Sequence, residues 1–390
     1  MRHYEQTHPW LSFKFDANRL SPKVWMALGE AHSMCELIAG VPLPPDRAQD
    51  LHLIYLAKGV HATTAIEGNT LSEEEVRQEI DGHLKLPPSK EYLGQEIKNI
   101  IDACNDMLRS VAQSEDGLEF LSVDAIKNYN RLVLKGLTLD DGAEAGEIPT
   151  FNVVVANYRG APREDCEFLL GKMCEWLNHS SFIDHGADII VRGILRAILA
   201  HLYLVWIHPF ADGNGRTSRL IEYQILLSAG VPSPAAHLLS NHYNETRSEY
   251  YRQLDRSSKG DYSPAAFIDY AVRGFVDGLK GQLEKFREVQ WEITWHDYVH
   301  SAFKGKDSIA DIRRRHLVLD LSEQSVPIPR SKLSLISPRM AQAYALKGDK
   351  TLSRDIHALI DMGLITAVRG GYKASKDIIL AFRPLRRVIE

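Results

Sequence analysis

Cysteine is scarce, with 4 in 390 residues, and none stands in a C-x-x-C pair, so a disulfide framework is not what organises this chain. Cys35, Cys104, Cys166 and Cys174 read as buried free thiols. A long uncharged run is missing too. The most apolar stretch, 189–210, is interrupted by Arg192, Arg196, His201 and His208, whereas a membrane span needs roughly 20 nearly uncharged residues. It reads as a buried helix. Residues 1–20 carry Arg2, Glu5, Lys14 and Asp16 and lack the apolar centre of a secretion signal, so the expectation is a cytoplasmic protein without membrane contact. Alternation of β-branched residues is rare, which argues against a large sheet.

What is there is an ordinary globular composition, 44% hydrophobic and 25% charged, in a chain long enough for two or three cores. The net charge of -5 conceals an asymmetry: residues 301–390 hold 17 Lys and Arg against 9 Asp and Glu, and the first 300 hold 29 against 42. The tail is a different kind of surface.

Apolar spacing of three and four predicts helices over 22–39, 48–66, 73–84, 92–114, 122–136, 164–179, 187–206, 215–229, 244–257 and 263–287. Ser72 and Glu75 form a capping box at the start of the third, with Leu71 and Val76 placed as a hydrophobic staple. The one clear extended run before residue 300 is Phe151 to Val155, and the polar residues 156–160 after it predict a short hairpin. After about residue 290, helices over 309–322, 338–346 and 351–362 precede an extended Leu364 to Val368, the turn Arg369 to Gly371, and Tyr372 to Ala374. The expected domains are 1–115, 116–288 and 289–390.

The densest chemistry lies in His208 to Arg219, H-P-F-A-D-G-N-G-R-T-S-R. If one helix ends at Ile207 and the next opens at Asn214, the turn Asp212 to Gly215 presents backbone N–H groups with no intrahelical partner, which is an anion site. Glycine at 213 and 215 allows close approach of the anion. Arg216 and Arg219 fall on one face of the new helix, and two guanidinium forks suit further phosphate groups. Asp212 suits Mg²⁺ bridging a carboxylate and substrate phosphates. His208 alone titrates near neutrality, the property of a general base.

This segment matches every fixed position of H-P-F-x-D-G-N-G-R-x-x-R and so resembles the Fic family, which transfers AMP from ATP to protein hydroxyls. The resemblance covers about residues 50–285 and implies a mainly α fold, a Fic helical core with a short β-hairpin flap. It implies that His208 deprotonates a Ser, Thr or Tyr hydroxyl of a target protein, or of the protein itself. Asp212 would hold Mg²⁺ on the α- and β-phosphates, Gly213, Asn214 and Gly215 would form the anion hole, and Arg216 and Arg219 would bind the β- and γ-phosphates. Val155, Ala156, Asn157 and Tyr158 align with flap residues that grip the target and touch nucleotide, and Tyr250, Tyr251 and Leu254 with a helix beside the adenine. Core packing is the alternative reading of the two tyrosines. Two positions depart from relatives: proline at 149 and Ser258, where arginine and asparagine occur. Thr63 to Gly68 fits the family's inhibitory pattern S/T-x-x-x-E-G/N, which implies that Glu67, at the end of a helix over about 48–68, pairs with Arg219 and displaces the γ-phosphate. In some relatives this glutamate also helps to remove AMP.

The last hundred residues resemble the winged-helix family through Thr351 to Ile356 and Met362 to Ile365, where a third helix turns on glycine into a two-stranded wing. Its charge suggests DNA, with Arg313, Arg314, Arg315, Arg383, Arg386 and Arg387 most visible, but Thr351 to Met362 offers only Arg354 and His357 for base edges, so docking or a homodimer contact is favoured. Two rival functions stand beside AMP transfer: a DNA-binding regulator that senses nucleotide, and a Fic transferase of UMP, phosphoryl or phosphocholine groups.

Overall fold

The structure, a computed structural model, describes residues 2–113, 121–155, 158–179 and 187–380. It divides into two compact units, Met1–Glu284 and Lys285–Glu390.

In the first unit, α1 (Tyr4–Thr7) and a 3-10 turn at Ala17–Arg19 lead to α2 (Pro22–Ala39), α3 (Pro45–Ala65), α4 (Glu73–Ile80), α5 (Glu91–Gln113) and α6 (Val123–Val133). Proline at the start of α2 and α3 costs no hydrogen bond because the first-turn amides have no acceptor. The capping box of Ser72 and Glu75 is present at α4. That helix stops at Ile80, not near 84, because Gly82 takes φ 71 and turns the chain away. The hairpin pairs β1 (Val154–Val155) with β2 (Tyr158–Arg159), Val154 opposite Arg159 and Val155 opposite Tyr158.

The centre is α8 (Ile189–Ile207) against α9 (Asn214–Ser228), flanked by α7 (Arg163–Asn178) and α6. α8 is long and apolar enough to cross a membrane, but 83% of that window is buried inside the protein, so it serves as the core helix. The expected helix over 244–257 is instead two, α10 (Leu238–Glu245) and α11 (Arg247–Ser257). Thr246 breaks it: its Oγ1 returns to the His242 carbonyl and meets the Tyr270 hydroxyl, both at 2.6 Å. α12 (Ala265–Ala302) runs 15 residues beyond the expected end at 287, as no glycine or proline interrupts 282–304. The four cysteines are free and buried, and burial pushes each thiol up to about 12.

The second unit holds α13 (Ile309–Ser322), α14 (Arg330–Leu333), α15 (Pro338–Tyr344) and α16 (Asp349–Asp361), then β3 (Ile365–Val368) and β4 (Gly371–Ala374). The strands are antiparallel, Ile365 opposite Ala374, and Ile328 adds a single bridge to Tyr372. Leu317, Leu333, Met340, Leu359 and Leu364 form its core.

Candidate active site

The ends of α3 and α8, the start of α9, the hairpin and α11 converge on one cavity of about 500 Å³, a volume that suits a nucleotide-sized ligand. His208, Gly215, Glu67, Tyr158, Val155, Tyr250 and Tyr251 line it, together with Leu254, Asp255 and Ser258. Ala156 and Asn157 lie outside the described residues.

His208 caps the C-terminus of α8 in the left-handed region, φ 51 and ψ 57, where a non-glycine residue is strained. Two groups of the hairpin segment take up the helix-end carbonyls: the Tyr158 hydroxyl donates to Trp206 at 2.5 Å and the Ala161 amide to Ile207 at 2.9 Å. The His208 Nδ1 lies 3.3 Å from the Val205 carbonyl, which can only accept, so Nδ1 carries the proton and Nε2 keeps its lone pair. Burial pulls the imidazole below its ordinary value, outweighing that hydrogen bond and the charges of Glu67 and Asp212. A neutral imidazole with a free Nε2 is the form a general base requires.

The loop to α9 is built by its own side chains. Asn214 Oδ1 accepts from the Phe210 amide at 3.0 Å and its Nδ2 donates to the Phe210 carbonyl at 2.6 Å. The Asn214 side chain therefore staples the loop, and its backbone amide is what the helix start leaves for an anion. Gly213 takes φ 76, and a Cβ there would stand 2.9 Å from the Asn130 amide. That amide donates to the Asp212 carbonyl at 2.9 Å, while Asn130 Oδ1 receives the Gly146 amide at 2.8 Å.

The arginines do not line the cavity; they stand behind it and carry ion pairs. Arg219, almost wholly buried, gives Nη2 to Glu67 Oε1 at 2.5 Å and to the Thr63 carbonyl at 3.0 Å. Its Nε and Nη1 have no partner. Burial pushes the Glu67 carboxyl up, but Arg219, Arg216 and His208 together hold it below the usual carboxylate range. Glu67 also explains Gly215, since a Cβ at 215 would lie 2.1 Å from Glu67 Oε1. Arg216 gives Nη1 to Glu96 at 2.7 Å and Nη2 to Asp212 at 3.1 Å. Asp212 is half exposed, and no group of three metal-ligating side chains exists among the described residues. One exposed carboxylate is the kind of ligand that a Mg²⁺ held mainly by substrate phosphates takes.

Tyr250 is at once core and cavity wall. Its hydroxyl meets His201 Nε2 at 2.9 Å, and His201 Nδ1 lies 3.3 Å from Glu222, which accepts from Tyr243 at 2.8 Å. Tyr251 remains 47% exposed.

Residues 120–226 match the Fic/DOC family. The chain is 34% identical over 214 residues to "Protein adenylyltransferase fic-1" of Caenorhabditis briggsae and 33% identical to the protein of that name in Caenorhabditis elegans. Each alignment covers 55% of this chain and 38% of the relative, so the chain spans well under half the length of these curated relatives. A solved fragment of Fic-1 from C. elegans superposes with a TM-score of 0.54 at 27% identity, over 68% of this chain and 73% of that one. A Fic family protein from Desulfovibrio desulfuricans G20 matches over 93% of this chain and 94% of its own, TM-score 0.52, at 18% identity, which is a likeness of fold.

Reading along the chain did not find Glu96, Asn130, His201 or Glu222. The available signal was weak: a carboxylate and an asparagine on the apolar faces of α5 and α6.

Proposed function

We propose that this chain is a protein adenylyltransferase that transfers AMP from ATP to a hydroxyl side chain of a target protein and releases pyrophosphate. The observation that carries this reading is the neutral, strained His208, its Nε2 free, one loop before a helix start backed by Arg216 and Arg219. His208 takes the proton of the attacking hydroxyl. The first-turn amides of α9 receive phosphate oxygens, and the arginine forks neutralise the charge that moves to the leaving pyrophosphate. Asp212 would hold a Mg²⁺ arriving with the triphosphate, and that ion would supply further charge neutralisation. The exposed Val154 and Val155 of β1 offer a strand edge to an extended segment of the target.

Glu67 sits on the guanidinium that the γ-phosphate needs, so the chain rests in an inhibited state. The names of the relatives, both adenylyltransferases, favour AMP over the other donor groups. The second unit reads best as a winged helix that docks or dimerises. Arg313 and Arg314 are spent on Asp355, which weakens the case for DNA.

Parallel reactions with ATP labelled on the α- or the γ-phosphorus test the donor chemistry. Protein-bound α-label with free labelled pyrophosphate from the γ-label is the expected outcome. Protein-bound γ-label would replace AMP transfer with phosphoryl transfer.

A further inference from the structure

Glu96, on α5, lies outside the matched segment 120–226 and bridges two parts of the site. One carboxylate oxygen accepts Arg216 Nη1 at 2.7 Å, and the other accepts Asn69 Nδ2 at 2.8 Å. Asn69 is buried, two residues after Glu67. Its amide also donates to the Leu93 carbonyl at 3.0 Å, its Oδ1 accepts the Leu71 amide at 3.0 Å, and its backbone N–H returns to Thr64 at 3.1 Å. Between them Gly68 turns the chain at φ 100. The short turn that carries Glu67 is therefore anchored to the carboxylate that holds Arg216.

We propose that Glu96 is a positioning residue for both arginines: it fixes Arg216 directly, and through Asn69 it keeps Glu67 seated on Arg219. The proposal rests on reading Glu67 as the inhibitory carboxylate. Arg216 has two carboxylate partners of different kinds. Asp212 is 55% exposed and can turn to the cation of an incoming triphosphate without stranding a buried charge. Glu96 is 17% exposed and bound on both oxygens, so it stays. When Asp212 turns away, the Nη2 edge of Arg216 opens toward phosphate while Nη1 remains held. A fork held on one side keeps its plane, and a phosphate then meets it without reordering a long side chain. The same bond to Asn69 restrains the Glu67 turn. Its hydrogen bond to Arg219 Nη2 is the contact that a displacement of this turn would break.

AMP transfer rates and KM for ATP, measured on the full chain carrying Asn69→Ala, Glu67→Gly and both together, test the restraint. Asn69→Ala alone should raise transfer about ten-fold, the size of the hydrogen bond lost to Glu96, and should change it less than about two-fold when Glu67 is already glycine. Glu96→Gln in the Glu67→Gly background should raise KM for ATP about ten-fold with a smaller change in kcat. Asn69→Ser, which keeps an acceptor for Leu71 and drops the donor to Glu96, replaces Asn69→Ala if that variant does not fold. An Asn69 effect that is absent, or equal in both backgrounds, overturns the coupling, and so does an unchanged KM in Glu96→Gln. An inactive Glu67→Gly protein overturns the inhibitory reading itself, so the two failures are distinct.

Discussion

Asp355 in the C-terminal unit is buried and fully answered: Arg313 Nε and Arg314 Nε each donate to it at 2.8 Å, and the Tyr344 hydroxyl at 2.9 Å. Asp320 is answered likewise by Arg339 and by Ser337. In the N-terminal unit Arg219 is equally buried, yet its Nε and Nη1 have no partner, nor has Arg216 Nε. Burying a guanidinium with idle donors is costly. Arg196 Nε and, in the C-terminal unit, Arg315 Nε are idle as well, so one unpartnered Nε marks no site; Arg219 differs in leaving both Nε and Nη1 idle just behind the cavity that Glu67 and Gly215 line. Within the positively charged tail, Arg313 is the buried cation of this network, with Arg314 partly buried beside it.

Substitutions can break this contrast. The largest effect is expected from His208→Ala in the Glu67→Gly background, a loss of about 10²- to 10⁴-fold in AMP transfer without loss of fold, as for a general base. Labelled-ATP rates with circular dichroism check it. Arg219→Lys in the same background should lower kcat/KM about ten-fold, since a single point charge replaces a two-pronged fork. An unchanged kcat/KM would mean that the idle donors of Arg219 do not serve phosphate. Asp355→Ala should reverse the pattern, costing about 3–5 kcal/mol of stability in the C-terminal unit by stranding two arginines, with transfer nearly unaffected. Chemical denaturation followed beside the activity assay separates the two.

The smallest effect concerns pH. Burial lowers the His208 pKa, and a base must be unprotonated, so the acid limb of kcat/KM should lie below the ordinary histidine value of about 6.5. Removing Glu67, whose charge raises that pKa, should move the limb further toward acid. A limb above about 6.5 would contradict the burial argument.

The two helix ends around residues 208–213 were legible because their signal is local, and the structure places them at Ile207 and Asn214 as the sequence suggests. Glu67 was legible only through family resemblance, as nothing in Thr63 to Gly68 alone points across 152 residues to Arg219. Glu96 and Asn130 were illegible for the same reason: their partners lie 120 and 82 residues away, and one polar residue on an apolar helix face carries no address. The break at Thr246 was hidden as well, since tertiary contact with Tyr270 makes it and no glycine or proline marks it.

The central claim is that Arg219 must be released before His208 can act. It is tested most directly by initial rates of AMP incorporation at saturating ATP and Mg²⁺ for the parent chain and for Glu67→Gly. Removing one charge-assisted contact should raise the rate about 10- to 100-fold. Equal rates in the two proteins would contradict it.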